Sequence, residues 1–247
     1  MDKTVAKAFA MIDTLSRSEG PRGVTDLARE LGWTKSNAFR ILGTLQQLGI
    51  VEKRSDTSEY TLSLKLWEIG TLIVSRLDLR RVSYPFMRQL ADEANETVLL
   101  AGFETDHVVY LDQIECDRSV RTFTRIGGSA PVHCTATGKA ILAYLEPDAV
   151  ARVAKKLERF TANTLSTRAA LEQELTSVRE RGVASVRDEW EIGVSGVSSA
   201  IFDSRKYPIA ALGISGPSER LSPSALKKFG VSVKKCAAQI SERLGYI

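Results

Sequence analysis

Thr34, Lys35, Ser36, Asn37 and Arg40 crowd the start of one predicted helix, with Phe39 on the same outward face. Short polar and basic side chains near a helix N-terminus are the types that reach base edges when a helix lies in a major groove. The N-terminus itself favours a phosphate. Lys53 and Arg54 follow in a predicted hairpin, where they can meet sugar–phosphate backbone or minor groove. A solvated face of a three-helix subdomain, or a module that binds protein, would use the same residue types. The two glycines at 32 and 49 and the basic hairpin favour DNA.

A second group lies in the other half of the chain, around Gly127-Gly128-Ser129-Ala130-Pro131-Val132-His133-Cys134-Thr135-Ala136-Thr137-Gly138-Lys139-Ala140. Thr135 can cap a helix that starts near Ala136, and unpaired amides there suit an anion. Ala136, Thr137, Gly196 and Gly213 are small enough to let a ligand approach the backbone, or to let a helix pack tightly on a sheet. Ser215 offers a hydroxyl that donates or accepts.

Enzyme chemistry fails on spacing. Gly138-Lys139 lacks the glycine five positions earlier and the Ser or Thr after the lysine that a phosphate-binding loop needs. Gly193-Val194-Ser195-Gly196-Val197 ends in valine, so it is no nucleophile elbow. His133 and Cys134, read as strand neighbours, would point to opposite faces. A hydrolase-like enzyme with an appended winged helix is the rival reading, and it lacks a nucleophile–base–acid set. With no CxxC and no HExxH, neither a metal nor a cofactor is expected.

The elements that must hold these residues follow from periodicity. Val5, Phe9, Ile12 and Leu15 predict one helix face. Thr25 is the expected cap of a short helix over 26–31, and Thr34 the cap of a third helix with Ala38, Ile41, Leu42, Leu45 and Leu48 inward. Residues 50–54 and 59–62 read as two strands. Leu62, Leu66, Ile69, Ile73 and Leu77 form a stripe suited to a linker helix or a dimer seam, and a further helix is expected from Tyr84 or Pro85 to Asn95. Strands are then expected near 97–103, 108–114, 119–125, 183–187, 192–203 and 208–215, and helices over 135–145, 167–182 and 222–244. Hairpin signals at 104–106 and 203–206 make the sheet mainly antiparallel and the fold class α+β.

The chain has 247 residues, 43% hydrophobic and 26% charged, an ordinary globular composition. Its net charge of +4 permits an anionic partner without demanding one. Residues 1–63 carry nine basic and eight acidic side chains, so DNA binding must rest on pattern and not on bulk charge. No membrane span or signal peptide is apparent, and Cys116, Cys134 and Cys236 read as reduced thiols, which together suggest a cytoplasmic protein.

Val24-Thr25-Asp26-Leu27-Ala28-Arg29-Glu30-Leu31-Gly32, followed by residues 34–42, resembles the DNA-reading element of the IclR family of bacterial transcription regulators. Phe39 stands where that family commonly has Tyr. Residues 127–140, Glu189–Gly193, Ser198–Asp203 and Leu212–Pro217 are similar to its later signatures. The resemblance implies a winged helix-turn-helix domain over 1–63, a linker helix over 64–80, and a GAF-like effector domain with an antiparallel sheet flanked by helices over 81–247. It further implies double-stranded operator DNA, a small organic effector, a carboxylate or aromatic acid, and a homo-oligomer, dimer or dimer of dimers, as partners. Candidate DNA contacts are Thr34, Lys35, Ser36, Asn37, Phe39, Arg40, Lys53 and Arg54. Candidate effector contacts are Ala136, Thr137, Gly196, Gly213, Ser215, Asp188, Thr122 and Ala130. Arg187 occupies the place where the family usually has Asp; it either pairs with a carboxylate effector or sits in solvent at a strand end.

Overall fold

A computed structural model describes residues 2–76, 79–122 and 124–246, with the side chains of 71–76 left aside. The chain divides into two compact units, Met1–Leu77 and Asp78–Ile247.

The first unit holds α1 (Lys3–Ser16), α2 (Val24–Glu30), α3 (Lys35–Gln47), β1 (Val51–Lys53), β2 (Tyr60–Leu62) and α4 (Lys65–Arg76). Asp2 caps α1 by accepting the amide of Thr4 at 2.7 Å. The buried stripe of α1 is Met11 and Leu15, with Ala8 and Ile12 packed beside it, not the expected Val5 and Phe9, which are exposed. Two stripes at three-and-four spacing coexist in that helix, and the packing of α3 selects the one with the longer flexible side chain of Met11. Thr25 caps nothing: Gly23 is the extended residue before α2, so the helix begins at Val24, ahead of the expected start. Thr34 does cap α3, accepting the Asn37 amide at 3.3 Å. Ala38, Ile41, Leu42 and Leu45 are buried as expected, but Leu48, past the last turn, is 65% exposed. Gly32 and Gly49 take φ of +67° and +71°, the left-handed conformation that glycine reaches without strain.

β1 and β2 pair antiparallel, Val51 with Leu62 and Lys53 with Tyr60. Arg22 and Tyr60 exchange both backbone hydrogen bonds, at 2.9 and 2.8 Å, which ties the hairpin to the loop before α2. Of the stripe expected to continue from Leu62, Leu62 itself ends β2 and Ile69 lies in α4. The side chain of Ile73, and Leu77, lie outside the described residues.

The second unit holds α5 (Leu79–Ala94), β3 (Thr97–Glu104), β4 (His107–Ile114), β5 (Ser129–Pro131), a 3-10 turn η1 (Val132–Cys134), α6 (Ala136–Leu142), α7 (Pro147–Val153), α8 (Arg168–Arg181), β6 (Ala184–Arg187), β7 (Val194–Phe202), β8 (Pro208–Pro217) and α9 (Pro223–Arg243). The six strands form one antiparallel sheet in the order β5-β4-β3-β8-β7-β6. In β3, Val98 and Leu100 join a core with α5 and α9, while Leu99 and Ala101 join a second core with α6, α7 and α8. Both faces of the strand are covered, which is why its sequence is a continuous apolar run rather than an alternation.

Two expectations fail here, and one helix is unexpected. α5 starts at Leu79 and carries Pro85 within it; proline removes one helical donor, and the buried Phe86, Met87 and Leu90 hold the helix through it. The described residues of 119–125 form no strand; the partner of β4 on the side away from β3 is β5. α7 is too short to show a period, and only Pro147 at its first position marks it.

Candidate functional site

On α3, core-facing Ala38, Ile41, Leu42 and Leu45 fix the rotation of the helix. At ~100° per residue, Ser36 and Arg40 fall diametrically opposite that stripe, and Lys35, Asn37 and Phe39 fall on its flanks. Thr34, Lys35, Ser36, Phe39 and Arg40 are all exposed. Asn37 is half-buried, and its Oδ1 is enclosed without a hydrogen-bond partner. On the hairpin, Lys53 is exposed and its Nζ lies 5.8 Å from the Tyr60 ring centre. Arg54 is already engaged: Nε and Nη2 donate to the two carboxylate oxygens of Asp56 at 3.2 and 3.0 Å. That hydrogen bonding holds the Asp56 carboxyl below its usual range.

In the second unit, a cavity opens beside the start of α6. Its walls are Leu99 of β3, Tyr110 of β4, Thr122 and Thr124, Cys134 to Thr137, Val186 of β6, Trp190 and Glu191, Val194 to Val197 of β7, and Gly213 to Ser215 of β8. Its volume is about 70 Å³, several times the ~10–15 Å³ that admits one water. Ala136, Thr137, Gly196, Gly213, Ser215 and Thr122 therefore share one cavity. Gly196 and Ser215 are register partners across β7 and β8.

The cavity is rich in hydroxyls. Among the described residues that wall it, none is cationic and Glu191 is the one charged side chain. The Oγ1 of Thr122 is buried without a partner. Burial raises the Tyr110 phenol to about 12, helped by the charge of Glu191. Burial raises the Cys134 thiol to about 12 as well, with Glu189 adding to the effect. At pH 8 only about one Cys134 in 10⁴ is then a thiolate. Iodoacetamide at pH 8 is therefore expected to spare Cys134 in the native protein and to label it after denaturation; rapid native labelling, read by peptide mass, would contradict that burial.

Two candidates sit elsewhere. Ala130 is 2% exposed in β5, opposite Val108, inside the second core. Asp188 takes a φ of +55° and builds a turn: its Oδ1 accepts the Gly193 amide at 2.8 Å and the Ser218 hydroxyl at 2.6 Å. Arg187 does not wall the cavity; it is exposed at the end of β6, as the solvent reading expects, with its Nη1 donating to the carbonyls of Ser218 and Leu221 at 3.1 and 3.3 Å. Gly213 lines the cavity and also meets a packing demand, here between strands. A Cβ on Gly213 would lie 2.9 Å from Ser198 and from the Val197 carbonyl, so strand packing requires that residue to be small.

Sequence reading missed Leu99, Tyr110, Thr124, Glu191 and Ser195. Leu99 and Tyr110 lie on adjacent strands and face the α6 side, which only the sheet order reveals. It also missed the partner of Lys139. That lysine is 1% exposed, and its Nζ donates to Oε1 of Glu189 at 2.7 Å, with Oε1 of Glu174 at 3.7 Å. His133 and Cys134 lie in η1 and not on a strand, so the opposite-faces argument does not apply to them. The His133 Nε2 is instead committed to the Glu158 carbonyl at 2.9 Å. Among the described residues, no cluster of His, Cys, Asp or Glu suits a metal ion, and no helix is long and apolar enough to cross a membrane.

Residues 4–55 match the IclR helix-turn-helix domain, and residues 71–242 match the bacterial transcriptional regulator IclR C-terminal domain. The chain belongs to the IclR family. It is 32% identical to the HTH-type transcriptional regulator KdgR of Escherichia coli K12 over 98% of this chain and 93% of that one. It is 29% identical to the transcriptional repressor IclR of the same organism, over 98% and 90%. The crystal structure of the Thermotoga maritima IclR superposes with a TM-score of 0.77 at 30% identity, covering 98% of this chain and 99% of that one. An IclR-type regulator from Silicibacter reaches 0.85 at 25% identity, covering 99% and 97%. These IclR relatives are regulators and not enzymes, so the hydrolase-like reading falls. This IclR protein is thus a DNA-binding transcription regulator with a helix-turn-helix domain and a sheet domain of the effector-binding type.

Proposed function

We propose that this regulator acts in the cytoplasm as a dimer or a dimer of dimers, binds a pseudo-palindromic operator through α3, and releases or grips it in response to a small organic acid held in the α6 cavity. The observation that carries the reading is the cavity: six residues distant in sequence meet around it, and the buried Thr122 Oγ1 has no protein partner. A hydroxyl enclosed without a hydrogen bond costs stability, which a polar ligand atom offsets. Trp190 and Tyr110 supply flat walls for an aromatic or alicyclic body. A structural relative from Microbacterium hydrocarbonoxydans was crystallised with 4-hydroxybenzoate, which makes that compound the first probe. On α3, Ser36 and Arg40 are the favoured base readers, with Thr34, Lys35, Phe39, Lys53 and Arg54 around them and Asn37 turned partly inward.

The deciding experiment is fluorescence anisotropy with the DNA upstream of the chain's own gene, with and without ligands recovered by native mass spectrometry. Ligand-dependent release or tightening supports the reading; a retained ligand that leaves DNA affinity unchanged overturns it. Ser215→Ala is expected to weaken that ligand by about 0.5–1.5 kcal/mol, or up to ~3 kcal/mol if Ser215 meets a charged group. Calorimetry that gives equal affinities for Ser215→Ala and wild type would place the ligand elsewhere.

Oligomerisation rests on α4 and its approach. Leu64, Trp67 and Ile69 are 81%, 70% and 41% exposed. Three neighbouring apolar side chains in water are a surface that a second copy covers. Sedimentation at micromolar concentration is expected to show at least a dimer, and a stable monomer would contradict it.

A further inference from the structure

We propose that the buried Lys139–Glu189 ion pair is a positioning device for the cavity, holding the Asp188–Gly193 turn in place so that Trp190 and Glu191 complete its wall. The cavity's use as an effector site rests on the reading above; the positioning role is tested without any effector. Glu189 is 9% exposed and sits one residue before Trp190. Its Oε1 accepts from Lys139, which lies one turn along α6 from cavity residue Ala136. The pair therefore joins two walls of one cavity.

The two ends of the turn are held to Ser218, where the Asp188 carboxylate accepts from its hydroxyl at 2.6 Å and the Gly193 carbonyl accepts from its amide at 2.8 Å, and the start of the turn is also held through backbone carbonyls. Thr161 Oγ1 donates to the Asp188 carbonyl at 2.6 Å, and Thr164 Oγ1 donates to the Glu189 carbonyl at 2.6 Å. Past Glu189, the turn tip at Glu191 to Gly193 is exposed, and Ile192 is 84% so. Asp188 ties the turn to buried Ser218, and the side chain of Glu189 is what ties its middle, next to Trp190, to α6. It is an unequal link: Oε2 of Glu189 is enclosed with no partner. An ionised carboxylate with one oxygen unsatisfied stays buried only while the lysine stays beside it.

The titratable and charged groups that face the pair come from two elements. Glu174 and Arg181 of α8 bridge each other at 3.3 Å, with Glu174 also 3.7 Å from Lys139, and Cys134 of η1 lies close enough to feel both groups. Lys139 and Arg181 thus balance Glu174 and Glu189. Without Lys139, Glu189 is left as a buried carboxylate beside Glu174, and water is its better environment. It reaches water by leaving, and the turn goes with it.

The test uses the full chain with Trp33→Phe and Trp67→Phe, so that Trp190 is the remaining tryptophan of three. Acrylamide quenching reads its shielding. Lys139→Met is expected to raise the quenching constant of Trp190 about twofold at pH 8 and to return it toward the parent value on acidification to pH 5, because burial favours the protonated form of Glu189 and a neutral carboxyl no longer seeks water. Glu174→Gln, which leaves the turn's own anchor intact, is expected to leave quenching unchanged. A generally loosened fold would not recover on acidification and would not spare Glu174→Gln. Should Lys139→Met fail to fold, Glu189→Gln decides, with about a 1.5-fold rise expected. The proposal is overturned if Trp190 is quenched as in the parent in the folded variant, if pH 5 restores nothing, or if Glu174→Gln opens the turn as much. Because no ligand enters the assay, failure here leaves the effector reading standing, and loss of the effector reading leaves this result standing.

Discussion

Lys139→Met is expected to destabilise the sheet domain by about 3–5 kcal/mol, the range for breaking a buried ion pair from one side. Lys139 is 1% exposed and Glu189 is 9% exposed, so neither charge is screened by bulk water. Removing the cation strands the Glu189 carboxylate next to one methionine and near Glu174, which keeps Arg181 at 3.3 Å. For a unit of this size that loss lowers the melting temperature by roughly 6–20 °C. The second half of the expectation separates charge from packing. Lys139→Met with Glu189→Leu replaces the pair by apolar side chains and is expected to recover most of the loss, because the lone buried charge is gone. The pH dependence has a definite sign. Burial raises the Glu189 pKa above the usual carboxylate range despite the opposing pull of Lys139. The folded state therefore binds this proton more tightly than the unfolded chain, and stability falls as pH rises from the unfolded value through the folded one. The deficit of Lys139→Met is expected to shrink on acidification. Calorimetric melting of the two variants and the parent at pH 5 and pH 8 measures all of this. A deficit below ~1 kcal/mol at pH 8, or one that grows at pH 5, would show that the lysine does not stabilise the buried carboxylate.

The same pair marks the limit of what the sequence carries. Lys139 and Glu189 are 50 residues apart, and nothing in their local pattern distinguishes them from solvated charges. A helix of seven residues such as α6 has no exposed face to betray an inward lysine. Where spacing alone fixes the outcome, it is readable: Thr34 as a cap, Gly32 and Gly49 as helix ends, and the inward residues of α3 as far as Leu45 follow from 3.6-residue geometry and left-handed backbone. The antiparallel sheet followed from its hairpin signals. The strand order β3-β8-β7 did not, because β3 and β8 are joined by pairing between residues more than 100 positions apart. Tyr110 and Leu99 became cavity residues only through that order. Phe9 and Met11 show the intermediate case, in which two stripes compete within one helix and the partner surface decides. Asp188 failed for a different reason: its carboxylate is consumed by the turn it builds, as the sequence Asp-x-x-x-x-Gly at 188–193 permits but does not announce.

Arg40→Ala is expected to change which operator is bound, and not merely how tightly. Arg40 and Ser36 point straight away from the buried Ala38–Ile41–Leu42–Leu45 stripe, so a groove that receives α3 receives them first. Ser36 is short. Arg40 is long, exposed and without an ion pair among the described residues, and its planar fork suits the two acceptors on a guanine edge. Removing that bidentate pairing costs about 1–3 kcal/mol at one base pair, or roughly 5–150-fold. Asn37, attractive in the sequence for the same task, has its Oδ1 enclosed, so Asn37→Ala is expected to act on the packing of α3 more than on base choice. The hairpin supplies the contrast. Lys53 has no carboxylate partner among the described residues, whereas Arg54 is held by Asp56. Lys53→Ala is therefore expected to weaken all sequences alike and to lower the salt slope by about one, as follows when one phosphate is no longer neutralised. Arg54→Ala should do less, since its charge is already shared. A library of single-base operator substitutions, titrated at two salt concentrations, resolves the three variants. If Arg40→Ala and Lys53→Ala give the same sequence-blind loss, both meet phosphate, and base reading belongs to another part of α3. If Arg40→Ala flattens the preference at one position while its salt slope stays near that of the parent, the outward face of α3 is the reader.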